Sequence, residues 1–243
     1  MQKRYPTFGK HTTKLSEDTY YDFSKKEIVI AFIVIIIGAF ISFIPVIPTD
    51  NIQEILAGLI IFAIIIAVNF TAKKLAAQRY SIRIEHKFWE IYRFGFYEGY
   101  HFKKPIPLGV ILPFFFAILS LGYIKPFTFF QFEAVDVPNK RIVKQVGWKK
   151  ALRKDYMGDY DLAYTSAWGF YALLGVAVIA TAVYKFLDFS YAHDLLKYSV
   201  FYGFWNLLPL GQLDGSKVFF GAFLLWIFLI FLYTIFFVMV FLI

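Results

Sequence analysis

Long uncharged apolar runs alternate with shorter polar stretches along the chain. The first run, residues 28–47, has no charged side chain and about the 20 residues that a helix needs to cross a bilayer. Further apolar runs occupy residues 55–72, 162–187, 195–212 and 218–243. The pattern predicts an α-helical polytopic membrane protein with about five transmembrane helices.

Residues 105–124 form another apolar run, which three prolines and two glycines interrupt. Basic residues are concentrated on both sides of this run, and cytoplasmic loops carry the excess of Lys and Arg. If the run enters the membrane and returns, only Lys185 and Lys197 of the 25 basic residues lie outside. We therefore predict a re-entrant hairpin at 105–124, which must be buried by other helices.

The same reasoning divides the chain into a cytoplasmic N-terminal segment, residues 1–27, and a single membrane domain, residues 28–243. Alternating apolar and polar positions in SIRIEHKF, residues 81–88, and FTFFQFEAVDV, residues 127–137, predict a few short cytoplasmic β-strands. The predicted localisation is a multi-pass protein of the plasma (cytoplasmic) membrane with its N-terminus inside.

The composition supports a membrane protein and limits the kinds of site that the chain can form. Only 17% of the residues are charged, against about 25% in soluble domains, and the chain has no cysteine. A disulfide framework and a thiolate metal site are therefore excluded. The net charge of +8 flanks the apolar runs, which favours anionic lipid headgroups over nucleic acid as its partner.

A carboxylate interrupts the apolar C-terminal part of the chain in the stretch NLLPLGQLDG, residues 206–215. This stretch resembles the NxxPxxxLDG motif of the site-2 protease family of intramembrane zinc metalloproteases. The matching positions are Asn206, Pro209, Leu213, Asp214 and Gly215. The resemblance spans roughly residues 55–220 and implies that Asp214 stands at the position of the family's carboxylate zinc ligand.

The other half of that family's site, an HExxH helix, is missing. The best match is NFTAKKLAAQRYS, residues 69–81, which puts Asn69 and Lys73 at the two histidine positions and Phe70 at the general base. Catalytic zinc needs three protein ligands and an open water position. We therefore expect no metal, no cofactor and no catalytic residue, and the resemblance implies a degenerate, non-proteolytic member.

The remaining histidines do not suggest a replacement site. His86, His101 and His193 have no neighbour at ligand spacing in the sequence, so we interpret them as interfacial or solvated. The expected function is binding or scaffolding of other membrane proteins. An accessory subunit of a larger integral-membrane complex and a residual membrane metalloprotease stay open as alternatives.

A charge at membrane depth needs a partner. Lys73 stands where the family's second metal-binding histidine points at the motif carboxylate, so we predict a Lys73–Asp214 ion pair. Asn69, one turn earlier on the same helix face, is expected to donate a hydrogen bond to the carboxylate. In the alternative interpretation, Lys73 extends towards water as the first basic residue of a cytoplasmic loop.

Overall fold

The computed structural model describes residues 23–44, 52–80, 82–93, 101–136 and 158–242. Within them the chain forms seven helices and four strands. In chain order these are α1 (Lys25–Phe43), α2 (Ile52–Arg79), β1 (Ile82–Phe88), β2 (Ile91–Arg93), β3 (His101–Ile106), α3 (Leu108–Leu119), β4 (Phe130–Asp136), α4 (Asp159–Leu187), α5 (Ser190–Leu207), α6 (Asp214–Gly221) and α7 (Phe223–Leu242).

Among the described residues, α1, α2, α4 and α7 are long and apolar enough to cross a membrane. This agrees with the prediction of a mostly helical membrane protein with few short strands. Helix α5 does not join them, because its 18 residues are too polar on average, with His193, Asp194, Lys197 and Asn206 among them. The predicted number of five spanning helices therefore stays a prediction.

Two predicted helix boundaries are wrong. The run 195–212 ends as a helix at Leu207, because Pro209 lacks an amide hydrogen and holds Leu208 in an extended conformation (ψ 136°). The run 218–243 is not one helix, since the chain breaks at Ala222 between α6 and α7. At that break, Gly221 lies directly against the backbone of Asp159 on α4.

The predicted strands are present at both positions. Strand β1 pairs antiparallel with β4, and in this register His86 lies opposite Phe132. Strands β2 and β3 form a second two-stranded ribbon. The cytoplasmic side assigned to these strands stays a prediction, as does the location of residues 1–27, most of which lie outside the described residues.

The two ends of the segment 107–130 lie next to each other in the structure. Gly109 N–H donates to the carbonyl of Trp89, and Trp89 N–H donates to the carbonyl of Phe129, with both bonds 2.9 Å long. The chain departs as the short helix α3 and returns as a stretch without regular secondary structure, in which Phe127 and Phe129 are buried. This path has the form of the predicted hairpin, although entry into a membrane stays a prediction.

The hairpin turn reaches further than the sequence suggests. Lys125 Nζ donates to the carbonyl of Ser42 at the C-terminal end of α1, over 2.6 Å, and the charge of Lys197 on α5 acts on it. The prediction that Lys197 and Lys125 lie on opposite sides is therefore wrong, and the cytoplasmic location of Lys125 stays a prediction. It lies at the same end of the bundle as Lys197, because the turn packs against the end of α1.

Candidate functional site

The buried centre of the molecule is an ion pair between α2 and α6. The ammonium of Lys73 donates a hydrogen bond to Oδ2 of Asp214, across 141 positions of sequence. Lys73 is 1% exposed and Asp214 3% exposed. The predicted Lys73–Asp214 pair is therefore present, and the alternative in which Lys73 extends to water is wrong.

Local backbone features bring Asp214 to this position. Leu213 is fully buried and precedes the first residue of α6. Gly211 has φ +56°, a left-handed conformation that glycine adopts without strain. Gly215 lies directly on the backbone of Leu207, where any Cβ would overlap the Leu207 carbonyl. Close packing of α6 on the end of α5 therefore accounts for a glycine after Asp214.

Asn206 ties the same turn to the returning arm of the hairpin. Its Nδ2 donates to the carbonyls of Phe127 and Tyr202, both over 2.7 Å. The bond to Phe127 satisfies a backbone carbonyl in a stretch that precedes β4 and is not paired in a sheet. Asn206 is therefore a structural residue that holds the hairpin against α5.

Helix α4 closes the site from the third side. At Gly169, an added Cβ would come within 2.6 Å of Cε of Lys73 and 2.9 Å of Nδ2 of Asn69. The missing side chain thus leaves space for the Lys73 stem between α2 and α4. The sequence analysis missed Gly169, whose role depends on helix packing and leaves no local signal.

A second ammonium approaches Asp214 from its own helix. Lys217 Nζ lies 3.8 Å from Asp214 Oδ1 and donates to the carbonyl of Phe132 on β4 over 2.7 Å. The same Nζ lies 3.3 Å from the centroid of the Phe132 ring. A carbonyl, a carboxylate and an aromatic face therefore surround the cation, and α6 is joined to the outer edge of β4.

The opposite edge of the sheet is closed by Glu27, which is 2% exposed. Its Oε1 accepts the backbone N–H of His86 over 2.8 Å, and its Oε2 accepts Lys74 Nζ over 2.7 Å. The backbone N–H of Ser24, at the start of α1, donates to the same Oε2 over 3.0 Å. One carboxylate therefore joins α1, α2 and β1.

His86 is not interfacial or solvated as predicted, because it is 1% exposed. Burial lowers its pKa from 6.5 to about 4, although the hydrogen bond to Glu27 opposes this shift. The neutral ring donates from Nδ1 to Glu27 Oε1 over 3.1 Å, and its Nε2 has no hydrogen-bond partner among the described residues. Alternation along β1 could have indicated the buried position, since His86 follows Ile82 and Ile84 at a spacing of two.

The predicted hydrogen bond from Asn69 to Asp214 is absent from the bonds between described residues. Asn69 is buried beside Lys73, but its Oδ1 has no hydrogen-bond partner in the described part of the chain. Of the other histidines, His193 lies against Tyr184 with ring centroids 5.3 Å apart. The side chain of His101 lies outside the described part of the chain.

The residues at the family's ligand positions do not fit a zinc ion. Lys73 places a cation on the Asp214 carboxylate, and Lys217 adds a second cation near its other oxygen. Zinc in proteins is bound by thiolates, imidazoles and carboxylates. Within the described ranges, no three His, Asp or Glu side chains come together in a possible metal group.

Comparisons with protein-family models, with curated proteins and with solved structures found no match to this chain.

Proposed function

We propose that the protein is a non-proteolytic, site-2-protease-like membrane protein that binds or scaffolds other membrane proteins. The observation that carries this proposal is the Lys73–Asp214 ion pair. A carboxylate can serve as a metal ligand only when its oxygens are available to the metal. Here the ammonium of Lys73 takes that place, and it balances the buried charge of Asp214.

Peptide hydrolysis also needs a general base, which is not at the matching position of this chain. A metalloprotease of the HExxH type needs a general base beside the metal-bound water. Phe70 occupies that position and cannot accept a proton. His86 lies against Phe70, and burial lowers its pKa to about 4, which makes its ring a weak base. These side chains support a structural centre that holds α2, α6 and the β1–β4 sheet in one arrangement.

We propose that the protein lies in the plasma membrane. In the proposed orientation, its N-terminus is in the cytoplasm. Lys25 and Lys26 are exposed at the start of α1, and Lys103 and Lys104 are exposed on β3. Exposed lysines near the ends of apolar helices attract anionic lipid headgroups. These residues support the proposal that such headgroups are partners on the cytoplasmic side.

One observation favours a permanent subunit as the second candidate. Helix α7 buries few of its side chains within the described structure, with Leu229 and Tyr233 fully covered. Large apolar residues cover the rest of its surface, including Leu224, Phe228 and Phe231. In a larger complex, this face would be the surface for a neighbouring subunit.

Purification in mild detergent, followed by identification of the bound proteins, tests the proposal. The binding function is supported if a membrane protein co-purifies in less than stoichiometric amount and if its own isolated transmembrane helix displaces it. A fixed stoichiometric assembly that survives harsher detergent supports the subunit. Cleavage of a co-expressed membrane protein that is lost in Asp214→Ala would contradict both and support the residual metalloprotease.

A further inference from the structure

Two ammonium groups approach the buried carboxylate of Asp214 from different helices. Lys73 of α2 donates a hydrogen bond to Oδ2, and Nζ of Lys217 on α6 lies 3.8 Å from Oδ1. One carboxylate carries one negative charge, so it compensates only one of the two cations. Because Lys73 makes the direct hydrogen bond, the surplus positive charge is that of Lys217.

Among the described residues, the other contacts of Lys217 add no anion. Its Nζ donates to the backbone carbonyl of Phe132 over 2.7 Å and lies 3.3 Å from the centroid of the Phe132 ring. Glu133 on β4 acts on this nitrogen from further away and forms its own ion pair with Lys87. A backbone dipole and an aromatic face therefore take the place of a second carboxylate.

Burial and the neighbouring cation both favour the uncharged amine of Lys217. Desolvation penalises a buried ammonium, and a like charge nearby adds to that penalty. Burial lowers the pKa of Lys217 from 10.5 to about 7, and the charge of Lys73 acts in the same direction, against Asp214 and Glu133. A pKa of about 7 leaves about half of these side chains uncharged at neutral pH, against about one in 2,500 for a lysine in water.

Lys217 differs from Lys73 in being open to a reagent. Its side chain is 16% exposed, whereas that of Lys73 is 1% exposed. It lies between α6 and the β1–β4 sheet, outside the four helices that are long and apolar enough to cross a membrane. An uncharged lysine amine is a nucleophile, and desolvation or an adjacent cation is what activates it in covalent chemistry.

We propose that Lys217 is a covalent site for aldehydes, which it binds reversibly as imines. The uncharged amine attacks the carbonyl carbon, a C–N bond forms, and the proton that nitrogen loses passes to the carbonyl oxygen. A proton from solution then lets the hydroxyl leave as water, while the nitrogen lone pair forms the C=N bond of a protonated imine. Oδ1 of Asp214, which has no hydrogen-bond partner among the described residues, is near enough to carry the proton from nitrogen to oxygen.

An aldehyde suits this site because its adduct keeps the positive charge of the nitrogen. A protonated imine is still a cation, so it retains the attraction to the Asp214 carboxylate and to the face of the Phe132 ring. Acylation of the same amine would give a neutral amide and lose both attractions. The contacts of Lys217 therefore favour carbonyl compounds over acyl donors.

Reductive alkylation tests the site. The full-length protein in mild detergent is incubated with butanal and sodium cyanoborohydride, which reduces an imine to a stable secondary amine, and mass spectrometry gives the alkylation rate at each lysine. At about pH 7, we expect Lys217 to react at least about tenfold faster than the exposed Lys104. The ratio of the two rates should fall towards about pH 10, because the uncharged fraction of Lys217 reaches its limit first. A ratio of one or less at neutral pH, or a ratio that does not fall, would overturn the assignment.

A matched pair of variants separates an activated amine from one that is merely accessible. In Lys73→Met, Lys217 is the only ammonium beside Asp214, so its pKa should rise and the ratio at neutral pH should fall at least about tenfold. Lys197→Met removes a cation on α5, at the end of the bundle that holds the hairpin turn, and should leave the ratio unchanged. An unchanged ratio in folded Lys73→Met would contradict the assignment. If Lys73→Met does not fold, the pH profile of the unaltered protein decides.

Discussion

His86 and Phe70 stack face to face, with ring centroids 3.7 Å apart and an angle of 12° between the ring planes. Phe70 comes from α2, at the position that the family resemblance gives to a general base, and His86 comes from β1. The histidine is neutral in this contact, because burial lowers its pKa from 6.5 to about 4 and Glu27 accepts its Nδ1–H. The contact packs the sheet against α2, next to the ion pair.

The buried Lys73–Asp214 ion pair should contribute strongly to the free energy of unfolding, and this contribution should depend on both partners. Replacing one member of a buried pair leaves an uncompensated charge and costs about 3–5 kcal/mol. We expect Asp214→Asn to lower the free energy of unfolding by that order, and Lys73→Met to restore part of the loss in the double variant. Unfolding curves in detergent give the coupling between the two positions.

The exposed Lys87–Glu133 pair on the same sheet is the control. Its Nζ–Oε2 distance is 2.5 Å, but its side chains are 36% and 47% exposed, so Lys87→Ala should cost only about 0–1 kcal/mol. If Asp214→Asn and Lys87→Ala have equal effects, the buried pair does not hold the centre together.

Two glycines on α4 should respond in opposite ways to the same substitution. Gly169→Ala forces a Cβ against Lys73 and Asn69, and overpacking of this kind costs about 1–3 kcal/mol. At Gly175, no atom of the described residues lies within 4 Å of an added Cβ, so Gly175→Ala should be neutral or stabilise by up to about 1 kcal/mol through helix propensity. Thermal unfolding of the two variants measures the difference, and equal midpoints would contradict the close approach of α4 to Lys73.

The buried neutral state of His86 predicts a stability that falls in acid. Between pH 6.5 and about 4, the unfolded chain binds a proton at this ring that the folded chain excludes. Stability therefore rises with pH across this interval and is lost as the pH falls, by an amount approaching about 3 kcal/mol. We expect His86→Gln to reduce this pH dependence and His193→Gln to leave it intact. An unchanged pH dependence in His86→Gln would show that other groups cause the acid sensitivity.

Cysteine labelling tests the path of the hairpin, because the native chain has no cysteine. Lys104 and Glu133 lie on the two sides of the hairpin and are both exposed. We expect Lys104→Cys and Glu133→Cys to react from the same face as Lys26→Cys, and Lys185→Cys to react from the opposite face. Reaction of the first two from opposite faces would mean that residues 105–124 cross the membrane.

Local signals in the sequence predicted the helices and strands, and the family resemblance predicted one long-range contact. The apolar runs predicted the long helices, alternation predicted β1 and β4, and the resemblance brought Lys73 to Asp214 across 141 positions. Pro209 marked the end of α5 and was overlooked as a boundary. The break at Ala222 lies in an apolar stretch without proline or charge, so packing against α4 rather than local sequence produces it.

The remaining site residues could not be found from the sequence because tertiary packing brings them together. Glu27 lies in the first turn of α1 and reads as an ordinary capping residue, yet it bonds His86, 59 positions away. Lys217 reads as a loop cation, yet it bonds the edge of β4. In both cases, a side chain bonds the backbone of a strand, on the edge that pairs with no other described strand.

Rebuilding the missing motif tests the register of the resemblance. The triple variant Asn69→His, Phe70→Glu and Lys73→His returns two imidazoles at positions i and i+4 to the helix face that meets Asp214. We expect the folded variant to bind about one zinc ion per chain, since two histidines and a carboxylate form a catalytic-type ligand set. A folded variant that binds no zinc would show that the register is wrong.

The zinc content of the unaltered protein tests the central claim most directly. Elemental analysis of the purified, folded chain should give far less than one zinc per chain, and Asp214→Ala should not change that value. This result follows if the Lys73 ammonium occupies the place of a metal beside Asp214. About one zinc per chain, lost on Asp214→Ala, would contradict the account.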